Sequence, residues 1–267
     1  MLTTLSFCIT CKNRMHQISQ TLRKNLDDNM LSRDVVDFVL VDFGSTDGLM
    51  DWILDNFHQE LSSGYLRYYY TDELPYWHAS IAKNTAHIHA RNHILVNLDC
   101  DNYTGYMGGD FVIQTFEKHN FNIVFHQFSG MYRDGSYGRI AVLSNHFHKA
   151  GGYDETFEPM AFQDNDLILR LRKLGLTYIN NSHPRFSSAI QNDKSEGLRY
   201  TGSTTPYQEM FQKNYEKSRR NIMTGKWVAN DQKYGIRENI INVFDHYKLS
   251  CCNENEESEK FDLFCIA

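Results

Sequence analysis

The chain has 267 residues, of which 41% are hydrophobic and 22% are charged, a balance typical of a globular protein rather than a disordered one. Its formal net charge of -6 argues against nucleic acid as the main partner, because phosphate contacts need concentrated Lys and Arg. The first residues carry no signal-peptide pattern, and no stretch has the roughly 18 consecutive apolar residues that span a bilayer. We therefore expect a cytoplasmic protein with at most peripheral membrane contact.

Short apolar runs alternate with helical stretches along the chain. The apolar runs predict strands at residues 5–10, 36–42, 66–70, 94–98, 123–125, 139–143 and 176–180. The helical stretches are residues 15–25, 49–56, 81–90, 111–119, 164–174, 207–226 and 238–247. Thr46 and Asp47 are candidates to cap the second of these helices. Alternation of strands and helices predicts an α/β fold with a mainly parallel sheet and helices on both faces.

The chain divides by the character of its segments. The alternating strands and helices occupy the part before residue 200, and polar helical stretches follow. The segment CCNENEESEK near the end is acidic and is expected to fray. We therefore predict a core domain over residues 1–200 and a C-terminal helical extension with an acidic tail over residues 201–267.

Polar segments follow three of the predicted strands, at residues 11–14, 42–47 and 99–101. In a parallel sheet the carboxyl ends of the strands lie at one edge, and ligands collect outside that edge. The sequence therefore predicts one ligand site that is built from all three segments.

Asp99 and Asp101 are the candidate metal ligands. Alternate residues of an extended segment point the same way, so both carboxylates can face one site. Carboxylate oxygens suit Mg²⁺ or Mn²⁺ that bridges two phosphates of a nucleotide. Such a pair can also be a turn former, but its position at the end of a buried strand favours the metal site.

The other two segments carry candidate nucleotide contacts. Asp42 can accept a hydrogen bond from the imide N–H of uracil, and Gly44 permits close backbone approach; a plain turn with a helix cap is equally consistent. Lys12 and Arg14 lie at a strand–helix corner, where a diphosphate finds two cations and a helix N-terminus. They can also be solvated surface charges. Lys83 is a similar candidate.

Further residues carry weaker signals. Either Asp164 or Asp166 can cap the helix that they open, or act as a general base toward an acceptor hydroxyl. His183 is a candidate metal ligand or an ordinary loop histidine. Cys8 and Cys11 form a lone CxxC, for which buried or free thiols are the simpler interpretation than zinc or redox chemistry.

Together these motifs resemble the family-two-like glycosyltransferases of the GT-A fold, and particularly the β-1,4-galactosyltransferase branch. The similar stretch runs from about residue 5 to residue 183. TCKNR resembles the basic nucleotide corner, VDFGSTDG the uridine segment VDDGSTDG, and AKN the motif ARN. NLDCDN is similar to the metal motif, and GGYDE followed by QDND is similar to the segment with the catalytic base.

The resemblance implies a GT-A fold and transfer of a sugar from a UDP-sugar donor to a hydroxyl of a glycan or glycoconjugate acceptor. It implies Mn²⁺ (or Mg²⁺) as cofactor and inversion with Asp164 as the base. Carried over position by position, the donor and its metal are expected to contact Thr10, Lys12, Asn13, Arg14, Asp42, Lys83, Asn84, Asp99, Cys100 and Asp101.

Two positions depart from the family pattern. Met160 and Ala161 replace a tryptophan–glycine pair that shapes the acceptor site, so acceptor identity does not carry over. The stretch that matches a third metal ligand, residues 190–193, contains no histidine. This leaves Asn192, Asp193 or His183 as the third ligand, or a metal that is held more weakly.

Two other functions compete with glycosyl transfer. A nucleotidyltransferase can share this sheet and metal arrangement, but it is expected to carry a glycine-rich loop after the first strand, and TCKNR contains no glycine. A non-catalytic nucleotide-sugar-binding module is supported only by the missing tryptophan and histidine.

Overall fold

A single sheet organises the chain in the computed structural model, which describes residues 2–131, 134–181, 183–191 and 193–253. Its eight strands are β1 (Leu5–Cys11), β2 (Val36–Asp42), β3 (Leu66–Tyr70), β4 (Ile94–Asn97), β5 (Ile123–His126), β6 (Ile140–Leu143), β7 (Thr177–Asn180) and β8 (Ile241–Asn242). They lie in the order β7-β5-β6-β4-β1-β2-β3-β8. Within these residues β6 and β8 run antiparallel to their neighbours, and the other strands run in one direction.

Helices cover both faces of the sheet. They are α1 (Met15–Asp28), α2 (Leu49–Asn56), α3 (His58–Ser63), α4 (Ala79–Ile88), α5 (Gly108–Lys118), α6 (Ser144–Lys149), α7 (Gln163–Lys173), α8 (Lys194–Leu198), α9 (Tyr207–Met223) and α10 (Val243–Asn253). One apolar core contains side chains of α1, α2, α3, α5 and α10, and the other contains side chains of α4, α6 and α7. The α/β fold with a mainly parallel sheet, predicted from the alternation of elements, is confirmed.

Strand β2 shows why the sheet forms where it does. Phe38 and Leu40 belong to the first core, whereas Val39 and Val41 belong to the second. Successive side chains of a strand point to opposite faces, so a continuous apolar run indicates a strand that is buried on both sides. The run ends at Asp42, where the chain leaves the sheet.

The loops after β1 and β2 bind each other, which corrects the predicted cap of α2. Helix α2 is preceded by Gly48 in a left-handed conformation (φ 84°) without a side-chain cap. Asp47 Oδ2 instead accepts a hydrogen bond of 2.8 Å from Met15 N at the start of α1. Asn13 Oδ1 accepts one of 2.7 Å from Thr46 N. Because β1 and β2 are neighbours, the loops that follow them are close enough to form hydrogen bonds with each other.

The helix predicted at residues 238–247 is wrong in its first half. Ile241 and Asn242 pair antiparallel with Tyr70 and Tyr69 as the edge strand β8, because β3 presents an unpaired edge there. Helix α10 begins only at Val243. The helix predicted at 207–226 is α9, which ends three residues earlier, at Met223.

The C-terminal part packs against the rest of the chain at two places. Helix α9 contacts α7, and α10 contacts β3, with Val243 and Phe244 in the first core. The boundary at residue 200 stays a prediction, and the acidic tail lies, from residue 254 on, outside the described residues. Among the residues that the structure describes, no helix combines the length and apolar character that crossing a bilayer requires.

Replacing Phe244 tests how firmly the C-terminal part is attached. Its ring is buried and lies 5.3 Å from the ring of His58. We expect Phe244→Ala to lower the free energy of unfolding by about 3 kcal/mol, because it opens a cavity in the core. The control Tyr247→Ala, at a side chain that is 46% exposed, should change it by less than about 0.5 kcal/mol. Urea denaturation measures both, and equal small effects would mean that α10 is only loosely attached.

Candidate active site

A buried lysine lies at the centre of the site. Lys83 Nζ on α4 is 2.8 Å from Asp164 Oδ1 on α7 and 3.7 Å from Asp99 Oδ1, which follows β4. Lys83 is only 5% exposed. Three candidates from separate parts of the sequence are therefore in contact, as expected for the carboxyl edge of a parallel sheet.

The charges at this centre shift each other's pKa. Burial by itself lowers the pKa of Lys83, but the carboxylates of Asp164 and Asp99 outweigh it and hold the pKa above its ordinary value. Burial raises the pKa of Asp164, against the opposing effect of the Lys83 charge. The side chain of Asp164 keeps 13% exposure. It is thus accessible, and its proton affinity is shifted in the direction that suits a base near neutral pH.

Asp166, the other candidate base, is fully buried in protein contacts. Its carboxylate accepts hydrogen bonds of 2.7 Å from Arg170 Nε and 2.7 Å from Ser218 Oγ. Arg170 in turn donates to the backbone oxygens of Ala150 and Gly152. Asp166 therefore joins α7, α9 and the GGYDE turn. Helix α7 begins at Gln163 with Phe162 at its N-cap position, so neither aspartate occupies the position of a capping residue.

Asp99 and Asp101 form a donor set that fits a divalent cation. Asp101 is buried, and burial together with the charge of Asp99 raises its pKa to about 6. The charge of Asp99 disfavours ionisation of the buried Asp101 carboxylate, and a bound cation would relieve that repulsion. The side chain of Asp99 is 34% exposed. A Cβ on Gly138 would lie 2.7 Å from Asp99 Oδ2 and 3.0 Å from Lys83 Nζ, so the bare glycine keeps this space open.

The described residues do not gather His183 and the two aspartates into one metal-binding group, so its role as a metal ligand stays a prediction. Within the described residues no three His, Cys, Asp or Glu side chains are grouped closely enough to hold a metal. The chain near His183 runs antiparallel to the metal motif, with Ile190 N bonded to Asp101 O at 2.8 Å. Residues before Ile190 therefore lead away from Asp101, and the exposed His183 ring accepts from Arg185 N.

The two remaining candidates for a third ligand stand differently. Asp193 Oδ1 accepts a hydrogen bond of 3.0 Å from Ser195 N and caps α8. Asn192 lies outside the described residues and stays a prediction. Mg²⁺ and similar cations commonly use one or two carboxylates, with substrate phosphates and water as the other ligands. Two aspartates are therefore enough protein ligands for such a cation.

The two cationic side chains of the predicted nucleotide corner, Lys12 and Arg14, both have partners within the protein. Lys12 Nζ donates to Phe43 O at 2.5 Å and to Leu74 O at 3.2 Å, and burial lowers its pKa. Arg14 forms an ion pair with Glu196 on α8. A diphosphate at this corner would compete with these partners for the two cations.

Asp42 is fully buried (0% exposed) and holds the turn after β2. Its two oxygens accept hydrogen bonds of 2.9 Å from Ser45 N and 2.8 Å from Tyr68 OH, while burial raises its pKa. Its oxygens can accept further hydrogen bonds, but contact with uracil would require this fully buried side chain to become accessible. The contact stays a prediction, and the structure adds a second role, which is to shape the turn.

Several other residues that are predicted to contact the sugar donor form hydrogen bonds or are buried within the protein. Asn84 is buried, donates to Tyr153 O and Glu155 Oε1, and accepts from Tyr153 N, so it holds the GGYDE turn. Asn13 bonds Ser45 and Thr46. Thr10 is buried within β1. The backbone oxygen of Cys100 accepts from Thr21 Oγ1.

The CxxC of β1 does not form a metal or redox pair. Cys8 and Cys11 are free and buried, and they belong to opposite cores. Positions three apart in a strand point to opposite faces, so the two thiols cannot share a ligand.

Sequence reasoning missed the residue that orders the metal motif from behind. Arg139 is fully buried, and its Nη2 donates to Asn102 Oδ1 at 2.5 Å and to Ser188 O at 3.0 Å. Asn102 Nδ2 then donates to Asp101 Oδ1 at 2.6 Å. The chain of bonds links residues far apart in sequence, and no local spacing signals it.

Comparison with solved structures identifies known proteins that have a similar fold. The mannosyltransferase PcManGT from Pyrobaculum calidifontis, in complex with GDP-Man and Mn²⁺, is similar with a TM-score of 0.58 and 13% identity over 97% of this chain and 77% of that one. Residues 1–349 of S. aureus TarS, in complex with UDP, are similar with a TM-score of 0.57 and 12% identity over 83% and 72%. The fold is GT-A.

A third solved structure with a similar fold is a β-1,4-galactosyltransferase. A Drosophila β-1,4-galactosyltransferase 7 variant, in complex with manganese, UDP-Gal and xylobiose, is similar with a TM-score of 0.50 and 10% identity over 82% of this chain and 80% of that one. No family model and no curated protein sequence matches the chain. The predicted GT-A fold with a C-terminal helical appendage is therefore confirmed, and the galactosyltransferase branch stays a prediction.

Replacing Asp101 should stabilise the protein in the absence of metal. Burial and the charge of Asp99 raise the pKa of Asp101 to about 6, so ionising this side chain at pH 7 destabilises the folded protein. Asp101→Asn removes this cost, so the melting temperature in EDTA should rise at pH 7. The gain should shrink as the pH falls from 7 towards 4, because wild type is then protonated too.

The same melts test the metal assignment. Mn²⁺ should raise the melting temperature of wild type and leave that of Asp101→Asn nearly unchanged. The control Asp55→Asn, at an exposed residue of α2, should respond to Mn²⁺ as wild type does. An equal response of all three proteins would remove Asp101 from the metal site.

Proposed function

We propose that the chain is a metal-dependent glycosyltransferase of hexosyltransferase type that moves a sugar from a UDP-sugar to an acceptor hydroxyl with inversion. The observation that carries this proposal is the meeting of Asp164, Lys83 and Asp99 at the carboxyl edge of the sheet. Solved structures of the same fold hold UDP, GDP-Man with Mn²⁺, or UDP-Gal with manganese. A nucleotide-sugar donor is therefore the first ligand to test.

In this proposal the donor lies along the strand ends. Lys12 and Arg14 bind the diphosphate after leaving their present partners. The turn that Asp42 orders receives the uracil. Asp99 and Asp101 would hold Mn²⁺ or Mg²⁺. When bound, such a cation neutralises negative charge on the diphosphate leaving group.

Asp164 acts as the general base. It takes the proton of the acceptor hydroxyl while the hydroxyl oxygen forms a bond to the anomeric carbon and the bond from that carbon to the diphosphate oxygen breaks. Lys83, at 2.8 Å, keeps the carboxylate ionised until the acceptor binds and holds its orientation. Attack opposite the leaving group inverts the anomeric configuration. The acceptor is proposed to be a glycan or glycoconjugate.

Two features of the site favour transfer over the rival functions. The corner after β1 carries two cationic side chains, Lys12 and Arg14. It lacks the glycine-rich phosphate loop expected of a nucleotidyltransferase. The Asp164 carboxylate stays partly exposed beside the buried Lys83 ammonium. A general base requires such an accessible carboxylate, whereas a module that only binds the nucleotide sugar does not.

The decisive variant is Asp164→Asn. Loss of a general base typically slows a reaction about 10²–10⁴-fold, so we expect transfer to fall by that factor while UDP binding stays within about twofold, since Asp164 takes no part in donor binding in this mechanism. Turnover on a panel of UDP-sugars and calorimetry with UDP measure the two effects. A variant with near-wild-type turnover would exclude Asp164 as the base.

Asp166→Asn is the matched control on the same helix. Because Asp166 is paired with Arg170 and Ser218, its replacement should lower the melting temperature, while the folded fraction loses far less turnover than Asp164→Asn does. A wild-type protein that binds UDP but transfers no sugar to any acceptor tested would favour the binding module.

UDP affinity should depend on metal. Because Asp99 and Asp101 are proposed to contact the diphosphate through a cation, UDP should bind at least tenfold more weakly in EDTA than in Mn²⁺. Calorimetric titration under both conditions measures this ratio. Equal affinities would remove the metal from the donor site, and a preference for GDP over UDP would contradict the uracil assignment.

A further inference from the structure

The backbone just before α7 is strained. Ala161 and Phe162 both have left-handed backbone angles, with φ of 76° and 65°. Side chains with a Cβ adopt this region rarely, and two such residues in succession persist only where surrounding contacts hold them. Asp164 lies two residues after Phe162, in the first turn of the helix.

One side chain of α9 holds this strained turn. Asn214 is 1% exposed, and its amide nitrogen lies 2.8 Å from Ala161 O, 3.0 Å from Met160 O and 3.3 Å from Glu158 O. Its amide oxygen accepts a hydrogen bond of 2.7 Å from Glu158 N. A single buried amide thus binds the turn 158–161 from both its donor and its acceptor ends.

Other contacts of α9 are made on either side of this amide. One turn later on the helix, Ser218 donates to Asp166. The ring of Phe162 packs edge-on against Phe211 at 5.3 Å and Tyr215 at 5.4 Å. Helix α9 therefore contacts the strained turn, its exit and the first turn of α7.

We propose that Asn214 is a positioning residue for the transfer reaction. It holds Ala161 and Phe162 in the left-handed conformation, which sets where α7 begins and hence where the carboxylate of Asp164 lies relative to Lys83 and Asp99. The inference rests on the proposed function, and it makes α9 part of the catalytic apparatus. Small displacements of a base cost large factors in rate.

A purely structural role makes a different prediction. Met210 is also fully buried on α9, one turn before Asn214, and it makes none of the hydrogen bonds to the turn. If Asn214 only attached the helix, Asn214→Ala and Met210→Ala would both lower the melting temperature and leave the turnover of the folded protein unchanged.

The test combines Asn214→Ala with Ala161→Gly. We expect Asn214→Ala to lower kcat about tenfold to a hundredfold, with the Kd for UDP within about twofold. Glycine adopts the left-handed conformation without a Cβ clash, so Ala161→Gly should restore kcat at least fivefold in the Asn214→Ala background. In the Met210→Ala background the same glycine should give no such increase in kcat, because there the clamp is intact.

Amide hydrogen exchange supplies a readout that needs no turnover. Exchange at residues 161–166 should accelerate in Asn214→Ala and slow again when Ala161→Gly is added, whereas Met210→Ala should leave it close to wild type. If Asn214→Ala does not fold, Asn214→Ser, which keeps one donor, should show intermediate kcat and exchange.

Two results would overturn the inference: wild-type kcat in Asn214→Ala, or a loss of kcat that Ala161→Gly does not restore. A wild-type chain without turnover would instead refute the proposed function. Unchanged exchange at residues 161–166 in Asn214→Ala would then refute the clamp itself.

Discussion

The buried ammonium of Lys83 is the constraint on which the site depends. A charge that is 5% exposed is tolerable only when opposite charges surround it, and its two carboxylate partners come from α7 and from the segment after β4. The ion pair therefore fixes α4, α7 and the end of β4 relative to one another. It also brings the proposed metal ligand Asp99 and the proposed base Asp164 within 3.7 Å of the same ammonium group, so the charge balance of the site and its proposed chemistry rest on the same contacts.

Residues that the motifs group together divide into two kinds. Lys83, Asp99 and Asp164 meet at the site, whereas Asp42 and Asn84 are buried and form hydrogen bonds within the protein. Those bonds hold the turn after β2 and the GGYDE turn. A motif records which residue types recur at a spacing, and it does not record which of them are buried. Side-chain partners are needed to separate ligand contacts from the supports that shape the loops.

The sheet, and the gathering of polar side chains such as Asp99 at its edge, could be predicted because their signals are local. Apolar runs such as that of β2 and polar residues at strand ends are visible in a few residues. The errors arise where distant segments decide. The path of the chain after His183 depends on a non-local hydrogen bond from Ile190 N to Asp101 O, and strand β8 forms only because β3 offers a free edge. Asn214 bonds residues more than fifty positions earlier, which no helical periodicity within α9 reveals.

A crystal structure of the protein grown with UDP and Mn²⁺, with manganese located by its anomalous scattering, tests the central claim most directly. The account predicts one manganese peak between the carboxylates of Asp99 and Asp101 and the diphosphate, with Lys12 and Arg14 turned from their present partners to the phosphates. It also predicts that the contact between Lys83 and Asp164 persists, with the Asp164 carboxylate facing the unoccupied acceptor side. Manganese bound away from both aspartates, or UDP bound away from the strand ends, would contradict it.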